Sequence, residues 1–202
     1  DLAGAYIQNE AIYFQQEKII DIKDILLPGV HNLENILAAV CAVKAYGGTT
    51  EAIVHILKTF QGVTHRLQFI KEWNGRKFYN DSKATNILAT QKAIASFSNR
   101  LVLIAGGLDR GNSFDALIPS LKNVAVLIAY GETKEKLCES AQQARVSEII
   151  TVSDLPAAFH KAVTVSKAGD TILLSPACAS WDQFKTFEER GGMFVQLVNT
   201  LV

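Results

Sequence analysis

The chain has 202 residues, 49% of them hydrophobic and 20% charged, which suits one large domain, or one and a fraction, and excludes a disordered chain. Twenty Lys+Arg balance twenty Asp+Glu, so the basic excess that a generic nucleic-acid or anionic-membrane binder needs is missing. No apolar run approaches the roughly 18 residues of a membrane helix. No secretory leader is recognisable, and Cys41, Cys138 and Cys178 form no C-x-x-C pair. The expectation is a cytoplasmic protein with no zinc framework and no membrane insertion.

The first section, to about residue 63, reads as a short hairpin and two helices. GAYIQNEAIYFQ places β-favouring residues on either side of a polar turn at Gln8-Asn9-Glu10. Pro28-Gly29 breaks the chain and a helix starts at His31-Asn32, with Asn32 as its N-cap. Ile36, Leu37, Val40 and Val43 supply its apolar stripe, and Gly47-Gly48 ends it. A second helix covers about Thr50 to Phe60 and stops at Gly62. So few elements close a core poorly, so residues 1–63 read as the tail of a larger domain.

From residue 64 the pattern is regular. His65–Ile70 and Lys77–Asn80 are predicted strands joined through Asn74-Gly75, a dipeptide suited to a tight hairpin. Further strands are expected at 101–105, 124–130, 148–152 and 171–175. Helices are expected near 86–97, 114–122, 133–145, 154–168 and 181–200. Apolar runs such as LVLIA and VAVLIAY show no polar alternation, so they mark strands buried on both faces. Residues 64–202 therefore read as α/β, a Rossmann-like, doubly wound, mostly parallel sheet whose ligands sit beyond the carboxyl ends of its strands.

Three strand-end loops carry the candidate chemistry. In NDSKATN, Asp81, Ser82 and Thr85 compete to cap the next helix, and Lys83 adds a cation at its start. A capped helix with a solvated lysine competes with an anion site at a helix N-terminus. AGGLDRGNS follows LVLIA, where its glycines allow close backbone approach to a ligand. It lacks G-x-G-x-x-G, and Asn112 stands where a P-loop needs lysine. Arg110 could fork a carboxylate instead, against the alternative of a tight turn with a surface arginine. In SPACASWDQF, Ser180 and Gln183 have capping-box spacing. Cys178 has no assignable partner and reads as a buried structural thiol. Phe184, Phe187 and Phe194 are expected to pack the last helix onto the sheet.

HNLENILAA, GVTHRLQFI, YNDSKATN, IAGGLDRG and LSPACASWDQFKTFEERG, in this order and spacing, resemble the Mur ligases of peptidoglycan synthesis. DSKATN and SPACASWDQF point to the branch of that family that adds D-glutamate. The resemblance implies that residues 1–63 are the end of a central ATP-binding domain and 64–202 an amino-acid-binding C-terminal domain. It implies ATP-dependent ligation of D-glutamate to UDP-N-acetylmuramoyl-L-alanine through an acyl phosphate, with ATP and Mg²⁺ as cofactors, in a monomer. Carried over, Lys83 is catalytic at the transferring phosphate. Thr85, Arg110, Ser180 and Phe187 line the D-glutamate pocket, and Asn32, Asn35, Arg66 and Asp81 contact ATP. No metal ligand is assigned; the family's P-loop and metal ligands match nothing in this sequence, so the stretch alone is expected to be inactive. The alternatives are a folylpolyglutamate-synthase-like ligase, a nicotinamide oxidoreductase, disfavoured by the missing glycine fingerprint, and a non-catalytic glutamate-binding module.

Overall fold

Asn9 and Glu10 both take positive φ, 48° and 56°, the geometry of a primed hairpin turn. They join β1 (Ala5–Gln8) to β2 (Ala11–Phe14) as expected. The computed structural model describes residues 4–27, 29–60 and 62–202. The chain divides into two units, residues 1–62 and 63–202.

In the first unit the sequence reading missed β3 (Glu17–Asp21), which pairs antiparallel with β2. Ile12 pairs with Ile20 while Tyr13 pairs with Lys18, so Ile19 is an extra residue on β3. That bulge lets Ile19 and Ile20 both be buried and erases the period-two alternation that announces a strand. Helix α1 (Val30–Ala45) is capped by Gly29, not Asn32. Asn32 is the third helical residue, and its N–H already bonds to the Gly29 carbonyl at 3.0 Å. Pro28 lies outside the described residues. The Thr49 hydroxyl caps α2 (Thr50–Thr59) by accepting from the Ala52 N–H. Ile12, Ile19, Ile20, Ile36, Val40, Ile53 and Leu57 form a small core. Val43 was expected in the stripe but is exposed.

The second unit starts with a hairpin, β4 (Gln68–Trp73) and β5 (Arg76–Asn80), closed by Asn74 and Gly75 at φ 48° and 73°. β4 begins later than predicted because His65 and Leu67 have φ of 65° and 41°, which no strand accommodates. Then follow α3 (Ile87–Ala95), β6 (Leu101–Gly106), α4 (Ile118–Leu121), β7 (Val124–Tyr130), α5 (Lys134–Gln143), β8 (Glu148–Thr151), α6 (Leu155–Val165), β9 (Thr171–Leu174) and α7 (Phe187–Asn199). The helix expected over 114–122 is a 3-10 turn plus the single turn of α4, and α7 starts at Phe187 instead of 181.

The sheet order is β4-β5-β9-β6-β7-β8, with only β4–β5 antiparallel. Along β6, Leu101, Leu103 and Ala105 enter one apolar layer with residues of α3, α4 and α5, while Val102 and Ile104 enter the other with α6 and α7. Burial on both faces is what removes polar alternation from these strands. The chain skips one position between β5 and β6, runs outward through β7 and β8, and returns through α6 to fill the gap with β9. The carboxyl ends of β5, β9 and β6 therefore lie side by side.

Leu103 is fully buried at the sheet centre. Leu103→Ala removes that packing and leaves a cavity, so it is expected to destabilise the protein by about 3 kcal/mol. Urea unfolding should show a lower midpoint at unchanged slope.

Candidate functional site

Asn80, the last residue of β5, is fully buried. Its amide oxygen accepts the Ser82 N–H at 3.1 Å, and its NH₂ donates to the Gly191 carbonyl at 3.1 Å and to His65 Nδ1 at 2.9 Å. With the amide committed in this way, His65 Nδ1 must be an acceptor, which requires the neutral ring. Partial burial lowers the His65 pKa in the same sense. The His65 carbonyl accepts the Lys83 N–H at 3.0 Å. One buried amide thus ties the entry of the unit to the loop bearing Lys83.

The residues expected to cap α3 do other work. Asn86 is the cap, its side-chain oxygen accepting the Ala89 N–H at 2.9 Å. Asp81 instead accepts the Leu67 N–H at 3.1 Å and the Ser175 hydroxyl at 2.8 Å. Burial outweighs these bonds and the nearby charge of Arg66, and raises the Asp81 pKa from 3.8 to about 6. Ser82 donates to the Phe187 carbonyl at 2.8 Å and accepts from Arg190 Nε at 2.9 Å. Lys83 is exposed, with its ammonium 5.2 Å from the Phe187 ring centroid, and half-buried Thr85 follows, its N–H on the Lys83 carbonyl. Arg66 is exposed beside Asp81.

Backbone bonds join this loop to the other two. The Asp81 N–H bonds to the Leu174 carbonyl, Ser175 N–H to Ile104, Gly106 N–H to Pro176, and Leu108 N–H to Ala179, all at 2.8–3.1 Å. Gly106 and Gly107 have φ of 133° and 147°, and a Cβ on either would collide with a carbonyl oxygen, of Tyr130 and Ala179 respectively. Their small size serves close contact with the protein's own backbone. Arg110 is exposed, its guanidinium 4.6 Å from the Trp181 ring centroid. The neighbouring Asp109 carboxylate is held by Lys136 at 2.7 Å and by the Gly111 N–H.

Ser180 does not form the expected capping box. Its carbonyl closes a turn by accepting the N–H groups of Gln183 and Phe184, and the Gln183 side chain donates to the Ser153 carbonyl. The cap of α7 is Thr186, which accepts the Glu189 N–H, while the Glu189 carboxylate accepts the Lys185 N–H. The Ser180 hydroxyl is left buried with no hydrogen-bond partner among the described residues. Cys178 is buried against the Thr133 hydroxyl, and burial pushes its pKa to about 11, which makes it an inert thiol. Phe194 packs into the core as expected and Phe184 lies half-buried against it, whereas Phe187 meets Lys83 and His65.

Arg190 was not foreseen. It is fully buried; its Nε and Nη2 bond to the Ser82 hydroxyl and carbonyl at 2.9 and 2.8 Å. Among the described residues its Nη1 makes no hydrogen bond, and it lies 3.3 Å from where a Cβ on Gly107 would stand. Arg190 is therefore bonded to the Lys83 loop and lies close to the glycine loop. A signal was available: Arg190 sits three residues after Phe187 and four before Phe194, on the inward stripe of α7. Asn32 and Asn35 lie in the first unit, one turn apart on α1, half-buried and exposed respectively. Among the described residues no group of three or more His, Cys, Asp or Glu could hold a metal ion, and no helix is long and apolar enough to cross a membrane.

The Asp81 shift has a pH consequence. The folded protein holds the Asp81 proton more tightly than the unfolded chain, so this group stabilises the fold at low pH. That contribution is lost as pH rises through about 6, a loss of about 3 kcal/mol. Asp81→Asn is expected to flatten the pH 4–7 decline in unfolding free energy, measured by urea titration at each pH.

Residues 65–178 match the family described as "Mur ligase, glutamate ligase domain". A UDP-N-acetylmuramoylalanine–D-glutamate ligase of Bacillus cereus is 56% identical over 199 residues, and its namesake in Bacillus anthracis is 55% identical. Both matches cover 98% of this chain and 44% of the relative, so the chain spans less than half the length of these relatives. Among solved structures, a pseudomurein peptide ligase type C from Methanothermus fervidus superposes with a TM-score of 0.67 at 15% identity, covering 98% of this chain and 41% of its own. The folylpolyglutamate synthase of Thermotoga maritima gives 0.57 at 17% identity, covering 83% and 40%. Likeness at such identities concerns the fold alone.

Proposed function

The chain belongs to the Mur ligase family, and we propose that it is the part of a cytoplasmic, monomeric D-glutamate-adding ligase that receives the amino acid and completes the ATP site. The full reaction would join D-glutamate to UDP-N-acetylmuramoyl-L-alanine. The alanyl carboxylate is activated by phosphoryl transfer from ATP, the D-glutamate amine attacks the acyl phosphate, and phosphate leaves. The observation that carries this reading is the meeting of three loops at the ends of β5, β9 and β6, with Lys83 and Arg110 exposed and the Ser180 hydroxyl unpaired. A dicarboxylic amino acid needs such a set, namely cations for the carboxylates and a donor to fix orientation.

In this proposal Lys83 neutralises charge on the phosphoryl oxygens during transfer, held over the Phe187 ring. Arg110 takes one D-glutamate carboxylate in a bidentate contact. Ser180 and Thr85 donate to the carboxylates, and Phe187 forms the apolar wall. Arg66 and Asp81 are proposed for the ribose and phosphates, and Asn32 and Asn35 for adenine. Mg²⁺ would shield the phosphates, but the described residues do not fit a metal site. Its ligands are assigned to the part of the relatives that this chain does not span.

The relatives named for D-glutamate, at 55–56% identity, favour this reading over a folate substrate, for which only the shared fold speaks. Lys83→Ala in the full-length enzyme is expected to lower kcat at least about 100-fold, with the KM for D-glutamate little changed. A kcat within a few-fold of the parent would overturn the role of Lys83. The 202 residues alone are expected to release no phosphate from ATP in the presence of both other substrates.

A further inference from the structure

Residues 171–180 are all buried, and the next residue, Trp181, is 63% exposed. Leaving a large aromatic in water forgoes stabilisation that burial would give. The exposed indole has a neighbour in the Arg110 guanidinium, 4.6 Å from its ring centroid. The two are brought together by a backbone bond, the Leu108 N–H to the Ala179 carbonyl at 3.0 Å. Arg110 and Trp181 each lie two residues beyond that bond, one on the glycine loop and one on the loop after β9.

The surroundings leave Arg110 uncommitted. Among the described residues its guanidinium makes no ion pair or hydrogen bond, because the adjacent Asp109 carboxylate is occupied by Lys136 and the Gly111 N–H. A guanidinium near an aromatic face keeps its N–H fork available at the edge. Next to Trp181 in sequence is Ser180, whose buried hydroxyl has no hydrogen-bond partner among the described residues.

We infer that Trp181 is a positioning residue that holds the Arg110 fork in place to receive a carboxylate of the acidic amino acid, and that it sets affinity for that substrate. This rests on the reading of Arg110 as a carboxylate-binding residue. The indole limits the freedom of a long exposed side chain before the ligand arrives, and it shields the ion pair from water once formed. Both effects act on binding of the amino acid, not on phosphoryl transfer.

The test is steady-state kinetics of the full-length enzyme with D-glutamate varied. Trp181→Ala is expected to raise the KM for D-glutamate about tenfold, with kcat within about twofold and the melting temperature nearly unchanged. Trp181→Phe should recover most of the loss, since a ring face remains. On an Arg110→Ala background, Trp181→Ala should add nothing, because the indole acts through Arg110. If Arg110→Ala raises KM and Trp181→Ala does not, the positioning role is overturned while the assignment of Arg110 stands. If Arg110→Ala leaves KM unchanged, that assignment falls and this inference with it.

Discussion

The arrangement at the strand ends depends on a buried cation, Arg190, that forms no ion pair among the described residues. Taking a guanidinium out of water carries a penalty of several kcal/mol unless its hydrogens are met. Two of the bonds that meet the Arg190 guanidinium come from one residue, Ser82, through hydroxyl and carbonyl. The Lys83 loop is thereby fixed to α7, and the Ser82 hydroxyl passes the tie on to the Phe187 carbonyl. The unpaired Nη1 lies near Gly107. The Arg190 charge acts on the buried Tyr130 and Cys178, and so does the Asp182 carboxylate, so the two opposite charges share the ground beneath the loops.

Asp81 follows the same logic with the opposite sign. Its carboxyl is buried enough to raise its pKa to about 6, so its ionised form opposes folding near neutrality. An amide would remove that cost. A charge kept where it destabilises the fold fits the ATP contact proposed for Asp81, since activity and stability trade against each other at functional positions. The Leu67 N–H and the Ser175 hydroxyl hold the group in place, and the charge of the exposed Arg66 acts on it.

The central sheet was legible because burial on both faces leaves a direct trace in runs such as LVLIA. β3 was not, because the bulge at Ile19 puts two consecutive isoleucines inside. The cap assignments for α3 and α7 failed for one shared reason. Asp81, Ser82, Thr85 and Asn86 all offer a capping oxygen, and so do Ser180 and Thr186; local propensity cannot choose among them. Tertiary bonds choose. Ser175 and Leu67 engage Asp81, Arg190 engages Ser82, and the turn closed by the Ser180 carbonyl moves the start of α7 to Thr186. Asp81, Ser82 and Ser180, misread as caps, are therefore residues that the strand-end loops use for their own bonds and turns. Arg190 escaped notice because charge in sequence reads as surface, although its spacing from Phe187 and Phe194 placed it inward.

The two exposed cations differ in a way that matches the division of labour proposed for them. Lys83 carries a compact, strongly hydrated charge on a flexible stem, which suits oxygens that shift position as a phosphoryl group transfers. Arg110 carries a planar fork, which suits a carboxylate that must be held in one orientation while the amine at the other end attacks. Each has an aromatic neighbour, Phe187 for the ammonium and Trp181 for the guanidinium. In the proposed reading, exchanging the two cations would keep the net charge and change both contacts, so the proposed site depends on which cation stands on which loop as well as on the sum of charge.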